Sequence, residues 1–370
     1  MSSFNTLRRS RRRFVGGAAI MVCGWPLRAA FGAASDPDAR AFALVSPERA
    51  LALRKTIDPA LAQQVVAQAA GASSRQPHYL PAVRTAGLLD GEGIRDASIQ
   101  AQEDWRQLRL QALAFRLSGD AAHLACAQRY VAAWAGPYQP GFGPIDETEL
   151  AAVICGIDLV QDQLPAAQMA LARLWCQQVA RGYLAKKIVS GGASTGFNNW
   201  HSHRIKIGTG AAFLSGDAAL IAAAREEFVL QVMRNIDSGG KVVDFDQRDA
   251  LHYVTYSLEP LLMAASMAAA HGEDWYAAPA TGGRLRKALD WLRPYAMGEK
   301  GHEEFVHSSV TFDKRRADAG VKGYAGPWRR NESATLYWLA SRFDRQYDAV
   351  SASLAPAPPW VQALFAQRYA

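Results

Sequence analysis

The 370-residue chain has four cysteines, and no pair of them stands at metal-ligand spacing. Cys23 falls within the first 34 residues, which leaves Cys126, Cys155 and Cys176, enough for one disulfide at most and read as buried thiols. A cysteine-held metal and a disulfide framework are thereby excluded. Also lacking is any run near the ~20 apolar residues that a membrane-spanning helix needs. The longest candidate, Val15 to Trp25, is short and rich in Gly and Ala. Alternation of β-branched residues is scarce, which argues against sheets. Net charge is lacking too, although the whole chain carries 41 Lys and Arg against 34 Asp and Glu. Six of those arginines (Arg8, Arg9, Arg11, Arg12, Arg13 and Arg28) lie in the first 34 residues, so the remainder holds 35 basic and 34 acidic groups. Global charge therefore names no partner, and only local clusters can.

What is present begins with an address. Consecutive arginines at Arg11 to Arg13 precede the apolar run, and small residues follow at Ala29, Ala30, Gly32, Ala33 and Ala34. This pattern predicts a twin-arginine export signal over 1–34, cleaved near Ala33 or Ala34, and a periplasmic mature chain, 35–370, that forms a single domain. Cys23 follows Val22 rather than a small residue, so no lipid anchor is expected.

Alanine, leucine, glutamine and arginine recur at helical spacing over 47–70, 93–118, 120–135, 147–161, 165–188, 200–215, 217–236, 246–271, 282–296 and 332–341. The class is all-α. Two stretches echo each other, FRLSGDAAHLACAQRY (115–130) and FLSGDAALIAAAREEF (213–228). In each, a glycine (Gly119, Gly216) suits the left-handed position after a helix, and an aspartate (Asp120, Asp217) can cap the next. Repeated hairpins of this kind predict an (α/α) toroid, an incomplete ring with a central cleft, and a plain helical solenoid is the competing arrangement.

Two long connections, 74–93 and 302–332, are aromatic and basic. Tyr79 lies in the first. The second places Lys314, Arg315, Arg316, Lys322, Arg329 and Arg330 among Tyr324 and Trp328, a composition suited to acidic sugars through ion pairs and ring stacking.

Two clusters carry candidate chemistry. FNNWHSHRIKIG (197–208) packs Asn198, Asn199, Trp200, His201 and His203 together. In DFDQRDALHYVTYSLEPLL (244–262), Arg248, His252 and Tyr256 recur every four residues and would share a helical face, with Tyr253 beside Tyr256. Cleavage of a uronic-acid polymer by β-elimination needs such an inventory. A base takes the C5 proton, the neighbouring carboxylate must be neutralised by amides or arginine, and an acid protonates the leaving O4. Tyr and His suit the acid and base roles when a positive charge helps the phenol to ionise.

The Asn-Asn-x-His character of NNWHSH and the Arg-x-Ala-Leu-His-Tyr-x-x-Tyr-x-Leu-x-Pro-Leu pattern from Arg248 to Leu261 resemble the alginate lyase family, periplasmic polysaccharide lyases with an α/α toroid fold. The resemblance covers most of the mature chain from residue 75 onward. It implies that Asn199 binds the substrate carboxylate and that Tyr253 is the general acid, and also the base where both groups lie on one side of the sugar; Tyr256 is the alternative. The family's histidine directly follows the asparagines, whereas Trp200 intervenes here, so His201 or His203 inherits that role. His203, four residues beyond Asn199, is favoured. Family members carry an arginine seven residues before the tyrosine, where this chain has Asp246, and Arg248 is the substitute. Asn198, Trp200, His252, Tyr79, Arg315, Arg316 and Tyr324 complete the expected substrate-binding set. The implied substrate is mannuronate-rich alginate or glucuronan. No metal, cofactor, nucleic acid or stable membrane anchor is expected, and the chain is expected to be a monomer.

Two other readings compete. A hydrolase on the same scaffold needs two facing carboxylates, and the candidates are Asp146 with Glu147, Asp244 with Asp246, and Glu303 with Glu304. A non-catalytic polysaccharide-binding protein of the periplasm needs only the groove.

Overall fold

The computed structural model describes residues 42–185 and 194–369. The expected export signal and the end of the helix expected over 165–188 lie outside the described residues. The helices, in chain order, are α1 (Pro47–Thr56), α2 (Pro59–Ala70), α3 (Arg95–Ser118), α4 (Ala121–Trp134), α5 (Leu150–Val160), α6 (Ala166–Ala185), α7 (Asn199–Ser215), α8 (Ala218–Asn235), α9 (Val243–Arg248), α10 (Leu251–Ala270), α11 (Arg284–Ala296), α12 (Thr311–Asp318), α13 (Ala334–Phe343), α14 (Asp348–Ser353) and α15 (Pro359–Leu364). Among the described residues there is no strand, only two isolated bridges, and no helix is long and apolar enough to cross a membrane.

The hairpin logic holds at both echoes. Gly119 and Gly216 take φ of 77° and 74°, where a Cβ would be strained. The side chain of Asp120 accepts from the Ala122 N–H, and that of Asp217 from Ala219 and Leu220. Two expected helices are broken, however. The 47–70 segment divides at Ile57, which is extended, before Asp58 caps a new start with Pro59 in its first turn. Proline there has no N–H for the preceding turn and its ring would clash with a carbonyl four residues back. The second break, at Asp249, shapes the site and is described below.

Neighbouring helices α3, α5, α7 and α10 run the same way. Gln102 and Arg116 of α3 meet the carbonyls of Asp146 and Leu159 in that order. Thr148, just before α5, touches His203 near the start of α7. His203 packs against Tyr256, and further along Gly210 faces Met267. The intervening helices α4, α6 and α8 return on the outside, which gives the alternating inner and outer ring of an α/α toroid. Close approach is built in at Gly156, where a Cβ would lie 2.5 Å from Leu108 Cγ and 3.1 Å from the Arg109 nitrogen. The N-terminal ends of α5, α7 and α10 thus share one rim, and residues there face a common cleft.

Cys126, Cys155 and Cys176 are free and buried in this core. The segment Phe42 to Val45 is buried as well. Its anchor is Asp158 of α5, whose carboxylate accepts from the Ala43, Leu44 and Val45 nitrogens at 2.5, 3.0 and 3.2 Å. Asp158→Ala strands three buried donors, so it should lower unfolding stability by about 3 kcal/mol or more in urea titrations.

Candidate active site

A cavity of about 350 Å³ opens at this rim, lined by Gln102, Arg106, Thr148, Tyr256, Arg316 and Tyr324 among others. A larger one, about 480 Å³, lies near the far end of α10, but its arginines are already spent. Arg286 pairs with Asp344 at 3.1 Å and Arg368 with Asp348 at 2.9 Å. The chemistry gathers at the smaller cavity.

Tyr253 stands at its edge, buried behind Arg316 and Tyr324. Two lining residues reach the phenol oxygen: Arg316 Nη1 donates to it at 3.0 Å, and the Tyr324 hydroxyl is 3.4 Å away. Arg248 lies flat beneath, its Cζ 4.0 Å from the ring centroid, and Phe305 meets the ring edge-on. Burial and the neighbouring Tyr253 push the Tyr324 hydroxyl well above its usual range, so Tyr324 stays a phenol and can donate. Both arginines are anchored by Asp313, a fully buried carboxylate that accepts from Arg248 Nη1 and from Ser308 Oγ and lies 3.8 Å from Arg316.

The sequence placed Arg248, His252 and Tyr256 on one face of a continuous helix. The structure corrects this. Asp249 adopts φ 48° and Ala250 is extended, so α9 ends at Arg248 and α10 starts afresh at Leu251. The break is imposed from afar: Glu304 accepts from the Leu251 and His252 nitrogens, and the Phe305 N–H donates to the Asp249 carbonyl. Arg248 still reaches Tyr253, but from a different helix.

The Asn-His cluster, expected as a wall of the cleft, is largely buried, and none of its residues lines this cavity. Asn198 caps α7 by accepting from the Trp200 N–H, and Trp200 is half-buried in the first turn. Asn199 is 1% exposed, and its amide donates to Asp244 of α9 at 2.5 Å. His201 turns away to α8, with Nε2 3.2 Å from Glu227. His203, 4% exposed, packs its ring against that of Tyr256 at 4.2 Å, tilted by 46°, and meets the Thr148 hydroxyl at 2.6 Å. Burial, reinforced by Lys206, holds its imidazole well below the usual range, with the Tyr256 backbone opposing in part. His203 is therefore neutral near pH 7. Because His201 faces away from the cleft, His201→Ala should keep turnover within about threefold of wild type in steady-state assays.

Tyr256 does line the cleft, and His252 stacks parallel to it at 6.1 Å while its Nδ1 meets Glu332 at 3.2 Å. Burial raises the Tyr256 hydroxyl well above its usual range, which suits a donor and not a base. Arg315 is exposed and pairs with Glu92 of the first long connection, so it joins the two loops. Tyr79 is not brought to this group. It leans on Trp134 and donates to the Pro137 carbonyl.

None of the three carboxylate pairs faces its partner across the cleft. Asp146 accepts from the Thr85 and Ala86 nitrogens, and Glu147 from Tyr138, Gly141 and Tyr183. Asp244 is held by Asn199 and Asn235, Asp246 pairs with Lys241, Glu303 is exposed, and Glu304 caps α10. Among the described residues no group of three His, Cys, Asp or Glu is placed to hold a metal ion. The sequence reading missed Thr148, Phe305, Asp313 and Glu332. Only Asp313, directly before the basic run, left a local signal: cations that are to be buried need an acid.

Comparison with known proteins agrees with this picture. The family model described as alginate lyase matches residues 53–302. An alginate lyase structure from Bacteroides ovatus superposes with a TM-score of 0.65 at 18% identity, covering 88% of this chain and 98% of that one. Alginate lyase A1-III from Sphingomonas species A1 gives 0.55 at 17%, covering 90% and 99%. A histidine-to-alanine variant of A1-III complexed with a tetrasaccharide gives 0.58 at 17%, covering 86% and 93%. No curated protein sequence matches. The structural likenesses, at such identities, bear on the fold alone, whereas the family model spans well over half of the chain. Toroid, cleft and family match converge on one assignment: the chain belongs to the alginate lyase family and is a polysaccharide lyase.

Proposed function

We propose that this chain cleaves a β-1,4-linked uronic-acid polymer, polymannuronate or glucuronan, by β-elimination, with Tyr253 as both base and acid. The observation that carries the reading is the Tyr253 oxygen held 3.0 Å from Arg316 at the edge of the cleft. The ionised phenol takes the C5 proton, and the electron pair left at C5 delocalises into the carboxylate. The C4–O4 bond then breaks, the C4=C5 double bond forms, and the same phenol returns the proton to O4. Mannuronate and glucuronate set the C5 hydrogen and O4 on one side, so one group serves both steps. Arg316 lies between the phenol and the cavity, where its guanidinium opposes the charge that develops on the carboxylate. Tyr256, His252 and Tyr324 supply donors around the ring. Asn199 acts through Asp244, and His203 through Tyr256.

Incubation of the mature protein with each polymer tests this. A rising ultraviolet band from the conjugated double bond is expected. New reducing ends without that band would mean hydrolysis, and binding without products would leave only a lectin-like role. Export through the twin-arginine signal, with residues 1–34 removed, belongs to the same proposal. Replacing Arg12 and Arg13 by lysine should retain the precursor in the cytoplasm in fractionation experiments.

A further inference from the structure

Behind Tyr256 lies a polar column that the elimination chemistry does not use directly. Thr148 Oγ1 is 2.6 Å from His203 Nδ1 and 3.1 Å from Lys206 Nζ. Lys206 sits one turn beyond His203 on α7 and is buried among Glu149, Glu259 and Arg109. A buried lysine in a ring of inner helices is costly and needs a reason.

Counting protons gives one. An ammonium only donates, so Lys206 fills a lone pair of the Thr148 oxygen. The hydroxyl keeps one proton and one further lone pair, and it also bonds the Tyr256 hydroxyl, so the imidazole nitrogen 2.6 Å away accepts from it only where Nδ1 is bare. A neutral imidazole that accepts at Nδ1 carries its proton on Nε2. The opposite face of the ring agrees. His203 Nε2 is buried without a hydrogen bond of normal geometry, and the imidazole lies against the Tyr256 backbone. The Tyr256 carbonyl has lost its usual helical donor, because the residue four positions on is Pro260, which has no N–H. An Nε2–H directed there finds an acceptor. A bare Nε2 would set lone pair against lone pair.

We propose that Lys206 and Thr148 are positioning residues, which fix the proton of His203 on Nε2 and so seat Tyr256 in the cleft wall through the tilted ring contact at 4.2 Å. The catalytic consequence rests on the lyase reading above; the protonation pattern does not.

The test uses mature protein labelled with ¹⁵N-histidine, with His203→Gln to identify the resonance. Wild type should show a neutral Nε2–H ring near pH 7, its Nδ1 signal shifted as a hydrogen-bond acceptor. Thr148→Val and Lys206→Met should each move that Nδ1 signal or redistribute the proton between the nitrogens, and Thr148→Ser should restore it. On the cleaved polymer, Thr148→Val should lower kcat about tenfold or more with KM within about twofold, and Ser should recover most of it. A wild-type ring protonated on Nδ1, or a Thr148→Val spectrum identical to wild type, overturns the proposal. Should Thr148→Val not fold, the wild-type and Ser spectra decide. Should no uronate polymer be cleaved, the spectra still decide, so the two readings fail separately.

Discussion

Tyr253→Phe should reduce turnover by about a thousandfold or more while leaving KM within a few fold. The single atom removed is the one that, in this account, takes the C5 proton and delivers it to O4. The ring stays, and with it the contacts to Arg248 and Phe305. Tyr324 loses a neighbour at 3.4 Å but remains a phenol in a polar cleft. Folding should be unaffected, so thermal melting within a degree or two of wild type should accompany the loss. Near-normal turnover would remove Tyr253 from both proton transfers.

The second large effect is expected at Arg316. Arg316→Met should cost about a hundredfold or more in kcat/KM. Its guanidinium opposes the negative charge that the substrate carboxylate gains as C5 loses its proton, and an apolar side chain of similar length offers nothing in its place. Arg316→Lys should recover part of the rate, because an ammonium keeps the charge without the planar fork. Lysine as poor as methionine would show that Arg316 shapes the cleft and nothing more.

Sequence and structure part company at identifiable places. Helix ends written in glycine and aspartate, at Gly119 with Asp120 and Gly216 with Asp217, depend on neighbours one or two residues away and were legible. The break at Asp249 was not. Its local sequence continues a helical pattern, and what interrupts it is Glu304 capping the Leu251 and His252 nitrogens, with Phe305 bonded to the Asp249 carbonyl. Arg248, expected on one face with His252 and Tyr256, instead lies over the Tyr253 ring from a separate helix. The cation requirement was equally clear from the chemistry, and the basic loop was visible. The sequence could not show which of its arginines crosses to Tyr253, since that depends on Asp313 holding α12 against α9.

The Asn-His stretch is instructive in another way. Polar side chains crowded into one segment suggest a surface that meets ligand, yet α7 is buried on nearly every side after Trp200. A helix at the centre of a ring can hold polar groups only where other helices answer them. Asn199 is met by Asp244, Ser202 by Ser257 and Gln231, and His203 by Thr148. The cluster is dense because it ties α5, α8, α9 and α10 together beneath the cleft. Its links to the chemistry run through Asp244, close to Arg248, and through Tyr256.

The most direct test of the account is cleavage in heavy-oxygen water with mass analysis of the products. Elimination transfers a proton within the sugar and uses no water, so each new non-reducing end should be lighter than its hydrolytic counterpart by one water, and no product should carry the heavy isotope from the cut. Heavy oxygen in the new ends, with saturated sugars on both sides, would contradict the central role given to Tyr253.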